Sequence, residues 1–493
     1  MRTSGILMPI FSLPSKGGIG TFGKEAYRFV DFLAAAGQSW WQILPLNPTN
    51  YGDSPYQSFS SYAGNPYFID PEILIEERLL TNEEFASFNF GDNSLKVDYG
   101  KLYENRNNML KIAFSRFVPD NEYKSFVCEN ACWLEEYALF MAIKNLNQDN
   151  SWENWEISIR LREPSVLNKI KDEQKELINF YKFVQFKFSQ QWLKLKKYAN
   201  KKGIGIIGDI PIYVAYDSAD VWSQPEQFNL DKNLKPKLVA GCPPDCFSPE
   251  GQLWGNPLYN WNFMKKDSYS WWKRRMVYAF KLYDLVRIDH FRGFEAYWAV
   301  PFGDKTAENG KWQKGPNLAL FTAIKEEYGK DLPIIAEDLG FLTPAVLKMV
   351  EKSGFPGMKV LQFAFTPEAE SDYLPHNFGK NSVVYTGTHD NDTILGWAST
   401  VTDEELKFAC DYMGLKNSEG INWAMIRTAL MSVANTAIIS MQDTIGLDSS
   451  GRINTPSTLG DNWQWRIDGS CINDWLANII LELTNISFRN PNK

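Results

Sequence analysis

The chain has 493 residues, 44% hydrophobic and 15% aromatic, ample for a large core and longer than the roughly 250 residues of a bare β/α barrel. Its 51 basic and 59 acidic residues leave a net charge of −8, which argues against nucleic acid or an anionic membrane as the partner. No window holds about 18 uninterrupted apolar residues, so no membrane span is expected, and six cysteines are too few here for a disulfide framework, which points to the cytoplasm.

Eight strand-like segments follow one another at 4–11, 40–46, 204–210, 284–289, 333–337, 358–365, 382–387 and 435–442. Most are continuous apolar runs, the pattern of strands buried on both faces. The first contains Ile6-Leu7-Met8-Pro9-Ile10-Phe11; it is broken by proline, lacks a signal-peptide cleavage pattern and reads as a strand. Helical stretches lie between many of the strands, for example at 24–36 and 271–283. This alternation predicts an α/β fold, a (β/α)8 TIM barrel, with an open doubly wound sheet as the alternative.

The gap at 47–203 is too long for a simple βα loop. Its clearest helix places Leu177, Phe180, Val184, Phe188, Gln191 and Leu195 on one face and ends at Lys196-Lys197 before Gly203. Residues 66–175 are therefore expected to form a mostly helical insertion between strands 2 and 3, with the barrel made from 1–65 and 176–493. The connection at 211–270 is rich in Pro, Gly and Trp and is expected to be substrate-covering loop rather than packed helix.

Three acidic motifs close three of the predicted strands: Arg287-Ile288-Asp289-His290, Ala336-Glu337-Asp338-Leu339-Gly340 and Thr388-His389-Asp390-Asn391. Carboxylates at the C-terminal ends of successive strands are the usual active-site arrangement of a β/α barrel. Cleaving a glycosidic bond with retention needs two carboxyl groups in different protonation states. Asp289 suits the nucleophile: Arg287 lies two residues earlier on the same face and favours its ionised form. Glu337 suits the proton donor, kept protonated by burial near other carboxylates. Asp390 could hold sugar hydroxyls or the distorted ring, and His290 and His389 could donate hydrogen bonds to the same sugar.

Each residue also has a structural role open to it. Asp289 with Arg287 could be a buried ion pair, Asp390-Asn391 a turn or cap, and the two histidines core residues. Trp222, Trp254, Trp261, Trp298 and Trp397 fall in or near predicted loops, as do Tyr51, Tyr56 and Phe247. Such rings could stack on sugar, although core packing suits any single tryptophan as well. Cys128 with Cys132 and Cys242 with Cys246 have a spacing that thiolate zinc sites use. The first pair sits at helical i, i+4, where cysteine packs as a small apolar residue, so no metal is expected.

The chain resembles glycoside hydrolase family 77, the 4-α-glucanotransferases, over nearly its whole length. The resemblance rests on Tyr51-Gly-Asp-Ser-Pro-Tyr56-Gln-Ser-Phe-Ser, Gly208-Asp209-Ile-Pro-Ile-Tyr-Val, Gly251-Gln-Leu-Trp254-Gly-Asn-Pro257, the three acidic motifs, and Asn454-Thr-Pro-Ser-Thr-Leu-Gly-Asp-Asn-Trp463. It implies a decorated barrel that moves α-1,4-glucan segments from a malto-oligosaccharide to the 4-hydroxyl of glucose or another glucan, as monomer or homodimer, without a cofactor. It implies Asp289 as nucleophile, Glu337 as acid/base and Asp390 as transition-state stabiliser. Arg287, Asp209 and His389 would line the cleaved sugar's site, and Tyr51 and Trp254 would stack on glucan further out. The loop Gly241-Cys-Pro-Pro-Asp245-Cys246-Phe247-Ser248 would arch over the cleft. Here the chain departs from the family pattern, with Cys246 where an aromatic is usual, leaving Phe247 to carry that contact.

Transfer requires that the glycosyl-enzyme meet a sugar hydroxyl before water, hence a covered cleft, which 241–262 would supply. The rival readings are a glucan hydrolase on the same barrel, a barrel enzyme using Asp289, Glu337 and Asp390 as Mg²⁺ ligands, and a non-catalytic glucan-binding protein.

Overall fold

The computed structural model describes residues 2–491 except 245–247 and 341, and of Tyr51 the backbone alone. Among these residues the strands are, in chain order, β1 (Thr3–Leu7), β2 (Trp40–Gln42), β3 (Gly205–Ile210), β4 (Leu238–Cys242), β5 (Gln252–Pro257), β6 (Leu285–Ile288), β7 (Ala296–Pro301), β8 (Lys311–Lys314), β9 (Ile334–Ala336), β10 (Gly357–Val360), β11 (Ser382–Tyr385) and β12 (Thr436–Ser440). The eight segments anticipated from their apolar runs are β1, β2, β3, β6, β9, β10, β11 and β12. They form one parallel sheet in the order β10-β11-β12-β1-β2-β3-β6-β9. The first and last strands are neighbours, with Ile6 opposite Ile439. Across the remaining seam the Ala336 N–H donates to the Pro356 carbonyl at 2.9 Å. The ring therefore follows chain order, as a (β/α)8 barrel does.

Several strands stop sooner than their apolar runs. β1 ends at Leu7 because Pro9 has no N–H for the ladder, and Ile10–Ser12 winds into a 3₁₀ turn. β10 passes into the turn Leu361–Phe363 and β12 into the helix Met441–Ile445. These early stops put the polar ends of the strands at the rim.

The 211–270 connection differs from the expectation of loop alone. It contains β4, β5 and the helices Ala219–Ser223 and Trp261–Lys266. β4 and β5 join β7 and β8 in an antiparallel sheet ordered β5-β4-β7-β8. Among the described residues Val239, Val300 and Ala307, with Trp298 against them, form a small apolar cluster of their own beside this sheet.

Between β2 and β3 the chain is helical for long stretches, including Tyr99–Arg116, Asn121–Glu129, Ala131–Leu146 and Lys175–Lys201. The last is the helix read from Phe180, Val184, Phe188 and Leu195, all buried; it runs a turn past Lys197, and Gly203 follows at φ +79°. Two glutamines on its buried side clamp the preceding loop. Gln185 accepts from the Gly64 N–H at 2.7 Å and donates to the Gly64 carbonyl at 2.9 Å. Gln191 accepts from the Asp70 N–H at 2.7 Å and donates to the Asp70 carbonyl at 3.4 Å. A buried amide that pairs both backbone groups of one residue leaves neither unsatisfied.

Under the barrel, at the N-terminal ends of β1 and β12, Arg489 is fully buried. Its guanidinium donates to the carbonyls of Thr3, Leu430, Ser432, Ala434 and Asn435 at 2.6–3.2 Å. Arg2 adds bonds to the carbonyls of Leu430, Ser432 and Ser487. Among the described residues no helix is long and apolar enough to cross a membrane.

Candidate active site

Strand register brings the acids together. β6 pairs with β9 so that Ile288 lies opposite Ala336, and the next residues are Asp289 and Glu337 on adjacent strand ends. The Glu337 N–H donates to the Ile288 carbonyl at 3.1 Å, and the Phe291 N–H returns a bond to the Glu337 carbonyl at 3.0 Å. Adjacent strands run about 4.8 Å apart, and retaining enzymes hold their two carboxyl groups about 5–5.5 Å apart.

Arg287 sits inside the barrel, two residues before Asp289. Its Nη2 lies 2.9 Å from Asp289 Oδ1 and its Nη1 2.6 Å from Asp209 Oδ2. Asp209 on β3 is fully buried and also accepts from the Tyr56 hydroxyl at 2.8 Å. Asp209, expected from the family resemblance to line the cleaved sugar's site, is here tied to Arg287 and Tyr56.

The two carboxyl groups end in different states. Glu337 is buried, and burial, with the Asp289 charge adding to it, pushes its carboxyl up to about 7. Against this, Arg287 and the N–H groups of His290 (2.6 Å) and Leu339 (2.9 Å) favour the anion. Burial also raises Asp289, opposed by Arg287; Arg287 alone does not set its charge, as the sequence suggested. Asp289 keeps 30% of its side chain open to solvent and a direct ion pair. When two close acids share a proton, the more desolvated and less paired one holds it. That one is Glu337.

Asp390 comes from the segment after β11 and is 43% exposed. Asn454 Nδ2 donates to its Oδ1 at 2.7 Å, Arg452 donates to its carbonyl at 2.8 Å, and His389 Nε2 lies 3.3 Å from its Oδ2. The His389 ring stacks on Tyr56 at 5.1 Å, and Trp463 closes the cluster at 5.9 Å from each of them. Beneath this segment Asp443 accepts from Thr386 Oγ1 at 2.7 Å and from the Ile394 N–H at 2.8 Å, tying both ends of the loop to the helix Met441–Ile445 that follows β12.

His290 touches Glu337 through its backbone and Trp254 through its ring. Its backbone N–H, presented by a left-handed residue at φ 50°, is what serves Glu337. Its ring meets Trp254 edge-on at 4.7 Å, and burial drives its basicity down to about 3, so the imidazole is neutral. Trp254 also borders a groove of about 530 Å³ lined by Ser248, Glu250, Gln252, Leu253 and Ser457. None of the three acids is among the residues that line the groove.

Of the other aromatic candidates, Trp222 and Trp397 are core residues. Trp261 packs among Tyr259 and Trp272, and Trp298 lies on β7. The Tyr51 side chain, Asp245, Cys246 and Phe247 lie outside the described residues. Cys128 and Cys132 are exposed on two successive helices broken at Asn130, not packed on one. Among the described residues no group of three or more His, Cys, Asp and Glu side chains could hold a metal ion. Asn454 and Trp463 belong to the site through the 454–463 motif, whereas Arg452 lies just before that motif and carries no signal of its own.

The sequence profile of glycoside hydrolase family 77, described as 4-alpha-glucanotransferase, matches residues 8–471. The chain belongs to the 4-alpha-glucanotransferase family. It is thus a glycosyl-transferring enzyme by family. It is 53% identical over 483 residues to the 4-alpha-glucanotransferase of Clostridium butyricum, covering 97% of this chain and 99% of the relative. It is 46% identical over 479 residues to that of Thermus thermophilus, covering 94% and 95%. Among solved structures, amylomaltase from Streptococcus agalactiae in complex with acarbose superposes with a TM-score of 0.97 at 42% identity, covering 99% of this chain and all of that one. The amylomaltase of Corynebacterium glutamicum, at 18% identity and a TM-score of 0.78, shares the fold.

Proposed function

We propose that this enzyme moves α-1,4-glucan segments to the 4-hydroxyl of glucose or another glucan by retaining double displacement. Asp289 attacks the anomeric carbon as the glycosidic bond breaks, and Glu337 gives its proton to the departing oxygen. In the second half Glu337 takes the proton of the acceptor 4-hydroxyl as that oxygen displaces Asp289. Asp390, held by Asn454, stabilises the charge that develops on the ring, and Arg287 keeps the nucleophile oriented. His389 and Trp254 contact the glucan, as do Tyr51, Asp245 and Phe247.

The observation that carries this reading is the unequal pair on β6 and β9: an open, ion-paired Asp289 beside a desolvated Glu337 pushed up to about 7. Family membership favours transfer over hydrolysis. The small number of cysteines in so long a chain supports a cytoplasmic location, and we read 66–175 as one helical subdomain of a monomer or homodimer.

Incubation with maltotriose, with and without added glucose, tests the reaction by chromatography of the products. Transfer yields glucose together with chains longer than maltotriose. Shorter sugars alone would make the enzyme a hydrolase.

A further inference from the structure

The barrel ladder is interrupted beside Glu337. Between β9 and β10 the Ala336 N–H donates to the Pro356 carbonyl at 2.9 Å. In a parallel pair the next rung would run from the Met358 N–H back to the Ala336 carbonyl. It runs instead to the side chain of Asp338, whose Oδ1 accepts from Met358 at 2.7 Å, and β9 and β10 are not paired in the sheet. Asp338 is buried and packs on the backbone of Gly357, where a Cβ would stand 2.4 Å from its Oδ2.

We propose that Asp338 is a positioning residue for the acid/base Glu337, its carboxylate replacing a backbone rung so that β9 can turn inward without opening the barrel wall. Glu337 is then held from both sides, by β6 through its own peptide and by β10 through its neighbour's side chain. The lock also keeps water from the seam, and the desolvation of Glu337 depends on that. The inference rests on the acid/base assignment above.

The charged and titratable groups facing Glu337 are Arg287 and Asp289 from β6, Arg292 from the turn after it, Tyr373 from the β10–β11 connection and Tyr385 from β11; Lys359 of β10 faces Asp338. All of these remain when Asp338 or Gly357 is replaced. Asp338→Asn removes the Asp338 charge alone, so a shift in the titration of Glu337 that Asp338→Ala and Gly357→Ala show and Asp338→Asn lacks reports water entry through the seam.

The test is the pH dependence of kcat/KM, with separate kcat and KM, on maltotriose for Asp338→Ala, Gly357→Ala and Asp338→Asn. Asp338→Ala and Gly357→Ala are expected to lower kcat about tenfold or more with KM within about twofold. In both, the basic limb moves to lower pH by about half a unit or more as Glu337 gains solvent. Asp338→Asn keeps the acceptor for Met358 and keeps the wild-type limb. A general loss of stability would lower the active fraction without moving the limb, and Gly357→Ala carries the test if Asp338→Ala does not fold. Unmoved limbs in both Asp338→Ala and Gly357→Ala, with Glu337→Gln inactive, overturn the inference alone. An active Glu337→Gln overturns the acid/base assignment instead.

Discussion

Glu337 and Asp289 divide one task through unequal burial. Glu337 must be protonated to act, and its carboxyl stands at about 7, so kcat/KM should fall as pH rises through about 7. Asp289 must be ionised, and burial lifts it above its ordinary range. The acid limb should therefore lie above the usual aspartate value of about 3.9. Glu337→Gln should lower turnover about 10²–10⁴-fold, and Asp289→Asn should lower it further by removing the covalent route. A profile without a basic limb, or a loss under tenfold, would contradict this division. These residues were legible because a carboxylate at the end of an apolar run has few other places to go. Asn454 and Trp463 were not: each reaches the site from a loop some sixty or more residues along the chain from Asp390, by a fold-dependent contact that spacing does not encode. Asp338 reads as half of an acidic pair, and its bond to Met358 depends on where the barrel ladder breaks.

At the scale of elements, the eight barrel strands could be read because burial on both faces leaves long apolar runs. The four antiparallel strands could not. β8 reads Lys-Trp-Gln-Lys and β5 carries Gly255 and Pro257, so neither looks like a buried strand. The Lys175–Lys201 helix shows how a polar residue serves an apolar face. Gln191 lies on the buried stripe because it pairs both backbone groups of Asp70. Gln191→Leu keeps the volume and orphans the Asp70 N–H, while the Asp70 carbonyl keeps the Leu74 N–H at 3.4 Å. It should cost about 1–3 kcal/mol, seen as a lower urea midpoint with an unchanged m-value; an unchanged midpoint would show that the clamp contributes nothing net.

At the scale of the molecule, the barrel is stitched underneath by Arg489 and Arg2. Arg489→Met should leave the Thr3 and Ala434 carbonyls without their guanidinium partner and lower stability by about 2–5 kcal/mol. Thermal unfolding checks this, and a melting temperature within a degree of wild type would refute it. The pairing of β1 with β12 carries a consequence for biosynthesis. Residues 3–7 leave the ribosome more than four hundred residues ahead of their partner at 436–440. At about 5–20 residues per second, one edge of β1 stands bare for roughly 20–90 s, and unpaired edges invite pairing with other chains. Slower translation lengthens that exposure, so the yield of native enzyme depends on elongation speed as well as on the finished fold.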